Sequence, residues 1–455
     1  MIRPVKRAKA AKGEIAGKKK LSPAALCAEE SRYLVRTYRR PPIVFTHGRG
    51  CRLYDSAGRA YLDFLAGIAV NALGYAHPRI VRVIRREAGR ATHISNLFHN
   101  RYQAPLARKL AEWSGLDRVF FSNSGAEAIE GALKLARAYA HAKAAASPGS
   151  TGAPKTRILA LENSFHGRTF GALSITHTPK YREPFVPLVP GVEFVRFNDV
   201  ADLDAKFDAS VCAVVIEPIQ GEGGIFPVSE AFWNRASQLT AQHDAALIAD
   251  EIQSGLGRTG RRFAYQKFNP LPDIVTVAKP LAGGLPLGAF IANEKFAAAF
   301  SPGMHGSTFG GGPLVCAAAL EFLTIVEEQD LLANVRARGA ELRAGLEKLA
   351  ARYEFIREIR GEGLILGLDL SIEGARFVEE GLREGLLINC THDHILRLLP
   401  PFIIRRGDVA EFLKRFDSVL ARAVKPAGDV RKPKASAGAP KIQARSQAFA
   451  VAASR

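Results

Sequence analysis

Short apolar runs alternate with helical patterns through most of this chain, and that alternation limits the folds it can adopt. Six runs after residue 117 have the length and the β-branched or aromatic content of buried strands. Strands that alternate with helices form a parallel sheet, because each helix returns the chain to the edge where the next strand begins. We therefore predict an α/β fold with a mostly parallel sheet and helices on both faces. The runs are residues 119–121, 158–161, 193–197, 214–216, 247–249 and 274–277.

The pattern changes after Gly312, where a long helix over residues 313–335 is predicted to lead into shorter strands. This change indicates that a smaller α+β domain follows a larger one. The regions that we expect are a disordered basic tail at 1–20, an N-terminal segment at 21–75 that packs with the small domain, a large domain at 76–312, the small α+β domain at 313–424 and a second disordered basic tail at 425–455.

The net charge of +19 is concentrated at the two ends of the chain. Residues 1–20 carry +7 and residues 425–455 carry +6, which leaves +6 for everything between them. Both ends are rich in Ala and Lys and almost free of aromatic residues, as is typical of solvated, disordered tails. Weak, non-specific binding of polyanions is the alternative interpretation. We therefore do not expect nucleic acid as the main partner.

Composition also excludes several classes of protein. Hydrophobic residues make up 47% of the chain, which indicates a globular protein. No apolar run approaches the ~20 residues that cross a bilayer. The N-terminus has neither the apolar stretch of a secretory signal nor the Ser- and Arg-rich composition of a mitochondrial presequence. The cysteines form no Cys-x-x-Cys pair, which indicates reduced thiols, no metal site and a cytoplasmic protein. They are Cys27, Cys51, Cys212, Cys316 and Cys390.

Two of the predicted strands end in ionisable residues. Asp250 follows one apolar run, and Lys279 follows another and precedes a turn with two glycines. In open α/β sheets this end of the strands faces the ligand crevice. Burial there would lower the pKa of the lysine and favour its nucleophilic amine. A lysine that can form a Schiff base and a carboxylate that can hold a pyridine nitrogen protonated are what pyridoxal 5′-phosphate (PLP) requires of a protein.

Two further motifs follow predicted strands and admit two interpretations each. Gly125 opens a predicted helix, whose first N–H groups could seat a phosphate, although an ordinary cap by Ser124 explains the same residues. Phe165 could stack on a cofactor ring and Arg168 could bind a carboxylate. A core phenylalanine and a surface arginine are the alternative for that pair.

Three other stretches are rich in polar residues or glycine. Residues 217–224 contain two carboxylates, an amide and three glycines directly after a strand, which favours a crevice lining. Gln253 could reach a ring hydroxyl group, and residues 305–312 offer hydroxyls for phosphate, unless they are only a linker. Residues 255–260 match the glycine fingerprint of dinucleotide sites, but no strand directly precedes them and no helix follows. We interpret them as a flexible loop and do not predict nicotinamide binding.

Taken together, these motifs resemble the class III aminotransferases of PLP fold type I, most of all the acetylornithine aminotransferases, with the ornithine aminotransferases next. The resemblance extends over residues 34–424. It implies PLP as the cofactor, a seven-stranded, mostly parallel sheet in the large domain, and a homodimer with shared active sites. The matching stretches are residues 61–71, 123–127, 165–168, 217–224, 250–253 and 257–260, Lys279, and residues 305–311.

The resemblance implies a role for each matching position. Lys279 would be the catalytic Schiff-base lysine, Asp250 would pair with the pyridine nitrogen and Phe165 would stack on the ring. Thr308 would reach the phosphate of the neighbouring subunit. The full set of implied cofactor-binding residues is Gly125, Ala126, Phe165, Asp250, Glu251, Ile252, Gln253, Lys279 and Thr308.

The implied substrate residues are Arg168, Ser307 and Tyr38, which would hold a carboxylate far from the reacting amine, and a switch pair, Glu222 and Arg397. The implied reaction moves the terminal amino group of N2-acetyl-L-ornithine to 2-oxoglutarate. One site must then accept two kinds of substrate. The terminal amine of acetylornithine has no carboxylate beside its reacting carbon, whereas glutamate and 2-oxoglutarate do. An arginine masked by a movable glutamate meets both needs.

Two positions depart from the family pattern. Ala126 stands where the family often has threonine, and Gly312 stands where many members have asparagine. Ornithine, N-succinyldiaminopimelate, 4-aminobutyrate or a carrier-linked lysine are alternative amino donors. A different PLP reaction on the same fold, such as racemisation, is a further alternative.

Overall fold

The computed structural model describes residues 21–146 and 153–424. The predicted tails at 1–20 and 425–455 therefore lie outside the described residues. The strands of the described part are β1 (Phe45–Arg49), β2 (Arg52–Asp55), β3 (Ala60–Asp63), β4 (Arg118–Ser122), β5 (Arg157–Leu161), β6 (Val192–Val195), β7 (Val211–Ile216), β8 (Ile219–Gln220), β9 (Phe226–Pro227), β10 (Ala246–Asp250), β11 (Ile274–Val277), β12 (Gly288–Ala292), β13 (Ile356–Glu362), β14 (Ile365–Leu370), β15 (Leu386–Leu387), β16 (Asn389–Thr391) and β17 (Ile395–Leu398).

The helices cover the sheets and connect their strands. They are α1 (Pro23–Tyr33), α2 (Ala66–Ala69), α3 (Pro78–Ala88), α4 (Gln103–Ser114), α5 (Gly125–Ala146), α6 (Phe170–Ser174), α7 (Pro179–Arg182), α8 (Val200–Lys206), α9 (Glu230–Gln242), α10 (Glu294–Ala297), α11 (Pro313–Glu328), α12 (Leu331–Ala350), α13 (Ala375–Glu384) and α14 (Arg406–Ala423). Within the described part of the chain, no helix is both long enough and apolar enough to cross a membrane.

The large sheet has seven strands in the order β4-β12-β11-β10-β7-β5-β6. The pairs β6–β5–β7–β10–β11 are parallel, as the sequence predicts. Every residue of β7 and β10 is buried, because packed layers cover both faces of the sheet. The carboxyl ends of these strands therefore meet at one edge, which is where the polar motifs follow.

Strand β12 was not among the predicted strands. It runs antiparallel between β4 and β11 and completes the sheet. Its five residues, Gly288–Ala292, are all buried, but only one β-branched residue is among them. The run therefore lacks the composition by which a strand is usually predicted.

The C-terminal part of the chain forms an antiparallel sheet in the order β13-β14-β17-β16, with α12, α13 and α14 packed nearby. A separate sheet, β1-β2-β3-β15, joins the N-terminal segment to the C-terminal part through the parallel pair β3–β15. The rings of Phe64 and Phe412 stack at 3.9 Å across the same junction. The domain boundaries given above stay a prediction.

The single long helix expected over residues 313–335 is wrong. The chain forms two helices there, α11 and α12, and it turns between them at Asp330 with a left-handed φ of 43°. Aspartate is one of the few non-glycine residues that tolerate this backbone conformation, so it can end one helix and start the next. The four polar residues 327–330 were the sequence signal of this break.

Candidate active site

A cleft of about 390 Å³ lies at the carboxyl edge of the large sheet. The segments that follow β4, β5, β7, β10 and β11 all contribute to its wall, because parallel strands end at the same edge. Most of the residues predicted to bind a cofactor line this cleft together: Gly125, Ala126, Phe165, Asp250, Ile252, Gln253 and Lys279.

Lys279 follows β11 in a left-handed backbone conformation, with φ of 42°. A lysine adopts this conformation only where its surroundings impose it, and such positions cluster at functional sites. Burial lowers the pKa of the Lys279 amine, and the negative charges of Asp250 and Glu222 oppose that effect only in part. The neutral amine, which is the nucleophilic form, is therefore more populated here than on a surface lysine.

Asp250 ends β10, beside the strand that leads to Lys279. Its Oδ1 accepts hydrogen bonds from the backbone N–H of Ile252 at 3.0 Å and from the hydroxyl of Thr276 at 3.2 Å. Its Oδ2 lies 2.6 Å from Nδ1 of His166, and both side chains are almost fully buried. The carboxylate is thus held in one orientation at the wall of the cleft.

His166 is a site residue to which the sequence reasoning gave no role. Burial alone would lower the pKa of its imidazole, but the hydrogen bond and charge of Asp250, with the charge of Glu217, raise it above the ordinary value. An imidazolium at this position would form a buried ion pair with the Asp250 carboxylate. Its position next to Phe165, after β5, was the only sequence signal.

Gly125 begins α5 at the end of the cleft. A Cβ at this position would lie 2.8 Å from Cδ1 of Ile252, so a side chain would displace one of the two residues. The hydroxyl of Ser124 accepts a hydrogen bond from the N–H of Glu127 at 3.2 Å, as the capping interpretation predicts. The earlier N–H groups, at Gly125 and Ala126, have no acceptor within the helix, so the helix start can also bind an anion.

Glu217 is the second site residue to which no role had been given. It follows β7, is buried, and accepts hydrogen bonds from the N–H of Phe165 at 3.0 Å and of Gly221 at 3.1 Å. Burial raises the pKa of its carboxyl group. Glu217 therefore fixes the backbone at Phe165 relative to the next glycine-rich turn.

Glu222 and Arg397 form an ion pair of 2.6 Å beside the cleft. Arg397 belongs to β17 and its side chain is 1% exposed. The same Nη1 also donates to the carbonyl of Gly221 and to Oε1 of Gln253, both at 3.1 Å. The structure therefore brings the predicted switch pair together and directs Gln253 towards it.

Arg168 lies exposed near the cleft mouth, with its guanidinium carbon 3.5 Å from the ring centroid of Tyr181 and 5.4 Å from that of Phe165. An arginine stacked on aromatic rings keeps its charge and most of its donors free. It is thus available to a carboxylate that enters past Phe165.

Seven predicted site residues do not line the cleft. Arg168, Glu222 and Arg397 lie beside it, Ser307 and Thr308 line an adjacent recess, and Glu251 and Tyr38 lie elsewhere. Glu251 points to the other side of β10, where it accepts from the Ser254 hydroxyl and from the N–H of Tyr265, and burial raises its pKa to about 7. Side chains alternate along a strand, so neighbours of Asp250 cannot all face the same way. Glu251 is therefore not among the residues that line the cleft. Thr308 is exposed, and Tyr38 is 77% exposed on a separate surface.

Thr308 and Ser307 line an adjacent recess of about 320 Å³. Asn123 contributes to both the recess and the cleft, and its amide donates to the Ser307 hydroxyl at 3.2 Å. The recess adjoins the cleft at Asn123, and Thr308 lines the recess but not the cleft.

Residues 255–260 form a loop, as expected, but its expected flexibility is wrong. All six residues are buried. Arg258 donates to the carbonyls of Leu364 and Pro400 and its guanidinium carbon lies 4.6 Å from the ring centroid of Phe402. The loop is thus packed against the C-terminal part of the chain, and its glycines allow that close approach.

The residues of the cleft fit one kind of cofactor. They offer an amine of lowered pKa, a carboxylate fixed by buried donors, an aromatic ring and a helix start that binds anions. The methyl group of Ala126 faces Gly167, where an added Cβ would lie 2.9 Å away, so this departure from the family pattern fits a close contact. A pyridine ring that carries an aldehyde and a phosphate, as PLP does, matches this set of groups.

Comparison with known proteins gives the same result. Residues 33–420 match the family described as aminotransferase class-III. The chain is 44% identical to the acetylornithine aminotransferase of Caldanaerobacter subterraneus subsp. tengcongensis over 86% of this chain and 98% of that protein. It is 43% identical to the acetylornithine aminotransferase of Methanocaldococcus jannaschii over 87% of this chain and 98% of that protein. A structure of the ornithine aminotransferase from Toxoplasma gondii, with PLP at partial occupancy, superposes with a TM-score of 0.83 at 33% identity. The superposition covers 88% of this chain and 95% of that chain.

Proposed function

We propose, on the premise that this chain belongs to the class-III aminotransferases, that it moves the terminal amino group of N2-acetyl-L-ornithine to 2-oxoglutarate. The products are N-acetyl-L-glutamate 5-semialdehyde and L-glutamate, so the reaction serves arginine biosynthesis. The predicted family, fold, transaminase activity and PLP dependence are confirmed by the family match and by relatives of more than 40% identity.

The ion pair of Glu222 with Arg397 is the observation that carries this proposal. While Glu222 neutralises Arg397, the wall near the reacting carbon offers no free positive charge and suits a terminal amine. When Glu222 moves away, Arg397 can bind the carboxylate beside the reacting carbon of 2-oxoglutarate or glutamate. Arg168 near the mouth would hold the distant carboxylate of either substrate. One cleft can therefore serve both halves of the reaction.

The chain supplies positioning and proton transfer. When bound, PLP supplies the carbonyl group that takes up the amine and the ring that delocalises the electrons of the broken C–H bond. Asp250 holds the ring nitrogen protonated, Phe165 stacks on the ring, and the start of α5 binds the phosphate. Nζ of Lys279, whose pKa is lowered by burial, would accept the proton from the substrate carbon and pass it to the cofactor carbon that carried the aldehyde.

The active enzyme is a homodimer in this proposal. Leu97, Phe98 and Phe309 are large apolar side chains that are more than half exposed. Asn96 donates to the carbonyls of Ser307 and Gly310, so the three side chains belong to the surface around Thr308. A second copy that covers this surface would bury them and bring Thr308 to the partner's phosphate seat. Sedimentation equilibrium tests this step, and a monomer at enzyme concentrations would contradict it.

The cytoplasm is the proposed location. All five cysteines are free, and three of them are buried in the folded chain. Free buried thiols are ordinary in a reducing compartment and rare in secreted proteins. Fractionation of the cells that produce the protein would test this assignment.

A panel of amines tests the substrate. With 2-oxoglutarate as acceptor, N2-acetylornithine should give a higher kcat/KM than ornithine, N-succinyldiaminopimelate or 4-aminobutyrate. If one of these is preferred by about tenfold, or ~1.4 kcal/mol of transition-state stabilisation, the assignment to acetylornithine is wrong. If no amine yields glutamate from 2-oxoglutarate, a different PLP reaction on the same fold is favoured.

A further inference from the structure

A second buried arginine, Arg360 on β13, holds the turn that carries Glu222. Its Nε and Nη2 both donate to the carbonyl of Gly224, at 3.2 and 3.1 Å. Its Nη1 donates to Glu358 at 2.6 Å and to Asp369 at 2.9 Å. The Arg360 side chain is 6% exposed, so its two bonds to the carbonyl of Gly224 are shielded from water. An arginine fork closed on one carbonyl fixes that peptide unit in both position and direction.

The register of the small sheet places Arg360 in line with Arg397. Arg360 on β13 pairs with Gly367 on β14, and Gly367 pairs with Arg397 on β17. Residues directly opposite each other in an antiparallel sheet point to the same face. Two arginines therefore project from one face with a glycine between them.

The turn of residues 221–225 lies in the space above that glycine. A Cβ at Gly367 would lie 2.9 Å from Cβ of Ile225, so Ile225 fills the place of the missing side chain. Arg397 binds the beginning of the turn, at the carbonyl of Gly221 and the carboxylate of Glu222. Arg360 binds its end, at Gly224. The two arginines thus hold the turn from both sides.

The local backbone restricts where the turn can bend. Gly224 has a φ of 117° and a Cβ there would lie 2.5 Å from Cδ1 of Ile395. Ile225 is fully buried with a φ of 59°. The end of the turn is therefore anchored, whereas Glu222 is only half-buried. When Glu222 moves away from Arg397, the backbone must therefore move at residues that precede Gly224 and Ile225.

We propose that Arg360 is a positioning residue that holds Glu222 over Arg397 and so sets the balance between the two classes of substrate. This inference rests on the proposed function, in which Glu222 masks Arg397. Without the Arg360 fork the end of the turn is released, Glu222 pairs with Arg397 for less of the time, and Arg397 is more available to a carboxylate. Ligands with a carboxylate beside the reacting carbon gain affinity, and terminal amines react less well.

The test uses glutarate, a five-carbon dicarboxylate that cannot transaminate, and the PLP-loaded enzyme. Titration calorimetry gives its dissociation constant, and rapid mixing with N2-acetylornithine gives the rate of the amine half-reaction. Arg360→Met should tighten glutarate binding by about fivefold, equivalent to ~1 kcal/mol, and slow the amine half-reaction. Arg357→Met is the matched control, because Arg357 lies on the same strand and binds Asp369 at 2.7 Å, but has no bond to the turn. It should leave both values within about twofold, or ~0.4 kcal/mol.

A double-mutant cycle with Glu222→Gln separates positioning from general damage. Glu222→Gln alone should tighten glutarate at least as much as Arg360→Met, and Arg360→Met should have no further effect in that background. If Glu222→Gln changes nothing, the switch of the proposed function fails. If Glu222→Gln acts but Arg360→Met behaves like Arg357→Met, or weakens both ligand classes together, this inference alone is overturned. If the methionine variant does not fold, Arg360→Lys replaces it, because lysine keeps the charge but cannot donate two hydrogen bonds to the Gly224 carbonyl through a planar guanidinium. The same two outcomes then support or overturn the inference.

Discussion

Replacing His166 by alanine tests the buried pair on which the orientation of Asp250 depends. The change removes the donor 2.6 Å from Oδ2, in a place where the two side chains are 0% and 3% exposed. Loss of a hydrogen bond to a charged group costs about 1.5–3 kcal/mol, and breaking a buried ion pair costs about 3–5 kcal/mol. Because Oδ1 keeps its two donors, Ile252 and Thr276, we expect a loss of ~3 kcal/mol, where the two ranges meet.

That loss can be measured as a melting temperature. For 455 residues, ~2.1 cal/mol/K of unfolding entropy per residue amounts to ~1 kcal/mol/K, so ~3 kcal/mol lowers the melting temperature by ~3 °C. Scanning calorimetry of the PLP-free enzyme is the assay, since the cofactor would add its own stabilisation. His166→Asn is the matched variant, because its amide can donate to Asp250 but carries no charge.

The sign of the pH dependence distinguishes the charge from the hydrogen bond. The pKa of His166 is raised in the folded chain, since the bond and charge of Asp250 outweigh burial. Its stabilising charge is therefore fully present below the unfolded pKa of ~6.5 and is lost as the pH rises through the folded value. The gap in melting temperature between the wild type and His166→Asn should be widest in acid and should narrow with rising pH. A gap independent of pH, or a His166→Ala variant that melts with the wild type, would refute the reasoning.

Three further predictions concern single positions. Lys279→Ala should lower turnover by at least about 10³-fold without changing the circular dichroism spectrum, because Lys279 is the one lysine among the described residues that line the cleft. Near-normal turnover would contradict the mechanism. Gly125→Ala should weaken PLP binding about tenfold in equilibrium dialysis, because the added Cβ overpacks against Cδ1 of Ile252 at a cost of ~1.4 kcal/mol. A second change, Ile252→Val, removes that Cδ1 and should restore binding. Gly407→Ala is the control, since an added Cβ there meets nothing within 4 Å. Burial raises the pKa of Glu251 from 4.5 to about 7, so the free energy of unfolding should fall as the pH rises from 4.5 to 7, by at most ~3 kcal/mol. Glu251→Gln should remove this fall, and an unchanged pH profile of unfolding would contradict the burial of the carboxyl group.

The sequence predicts that Lys279 and Asp250 lie close together because each follows a buried strand, and the structure places both in the wall of one cleft. The residues that follow parallel strands lie at the same edge of the sheet. Two residues that each follow such a strand are therefore expected to be close in space, even when no contact between them is known. Strand β11 pairs directly with β10, which makes the two residues neighbours in space. Gly125 and Phe165 follow the same rule. Glu251 shows its limit, since strand alternation sends the next residue to the opposite face.

Features that depend on pairing between distant strands leave no local signal. The antiparallel strand β12 inserts between β4 and β11 although the chain reaches it last among the strands of that sheet. The line of Arg360, Gly367 and Arg397 exists only because β13, β14 and β17 pair in one register. A shift of one residue would turn every side chain of the shifted strand to the opposite face and separate the two arginines. The charge that the cleft presents to its substrates is therefore set by the pairing of the small sheet as much as by the residues of the large one.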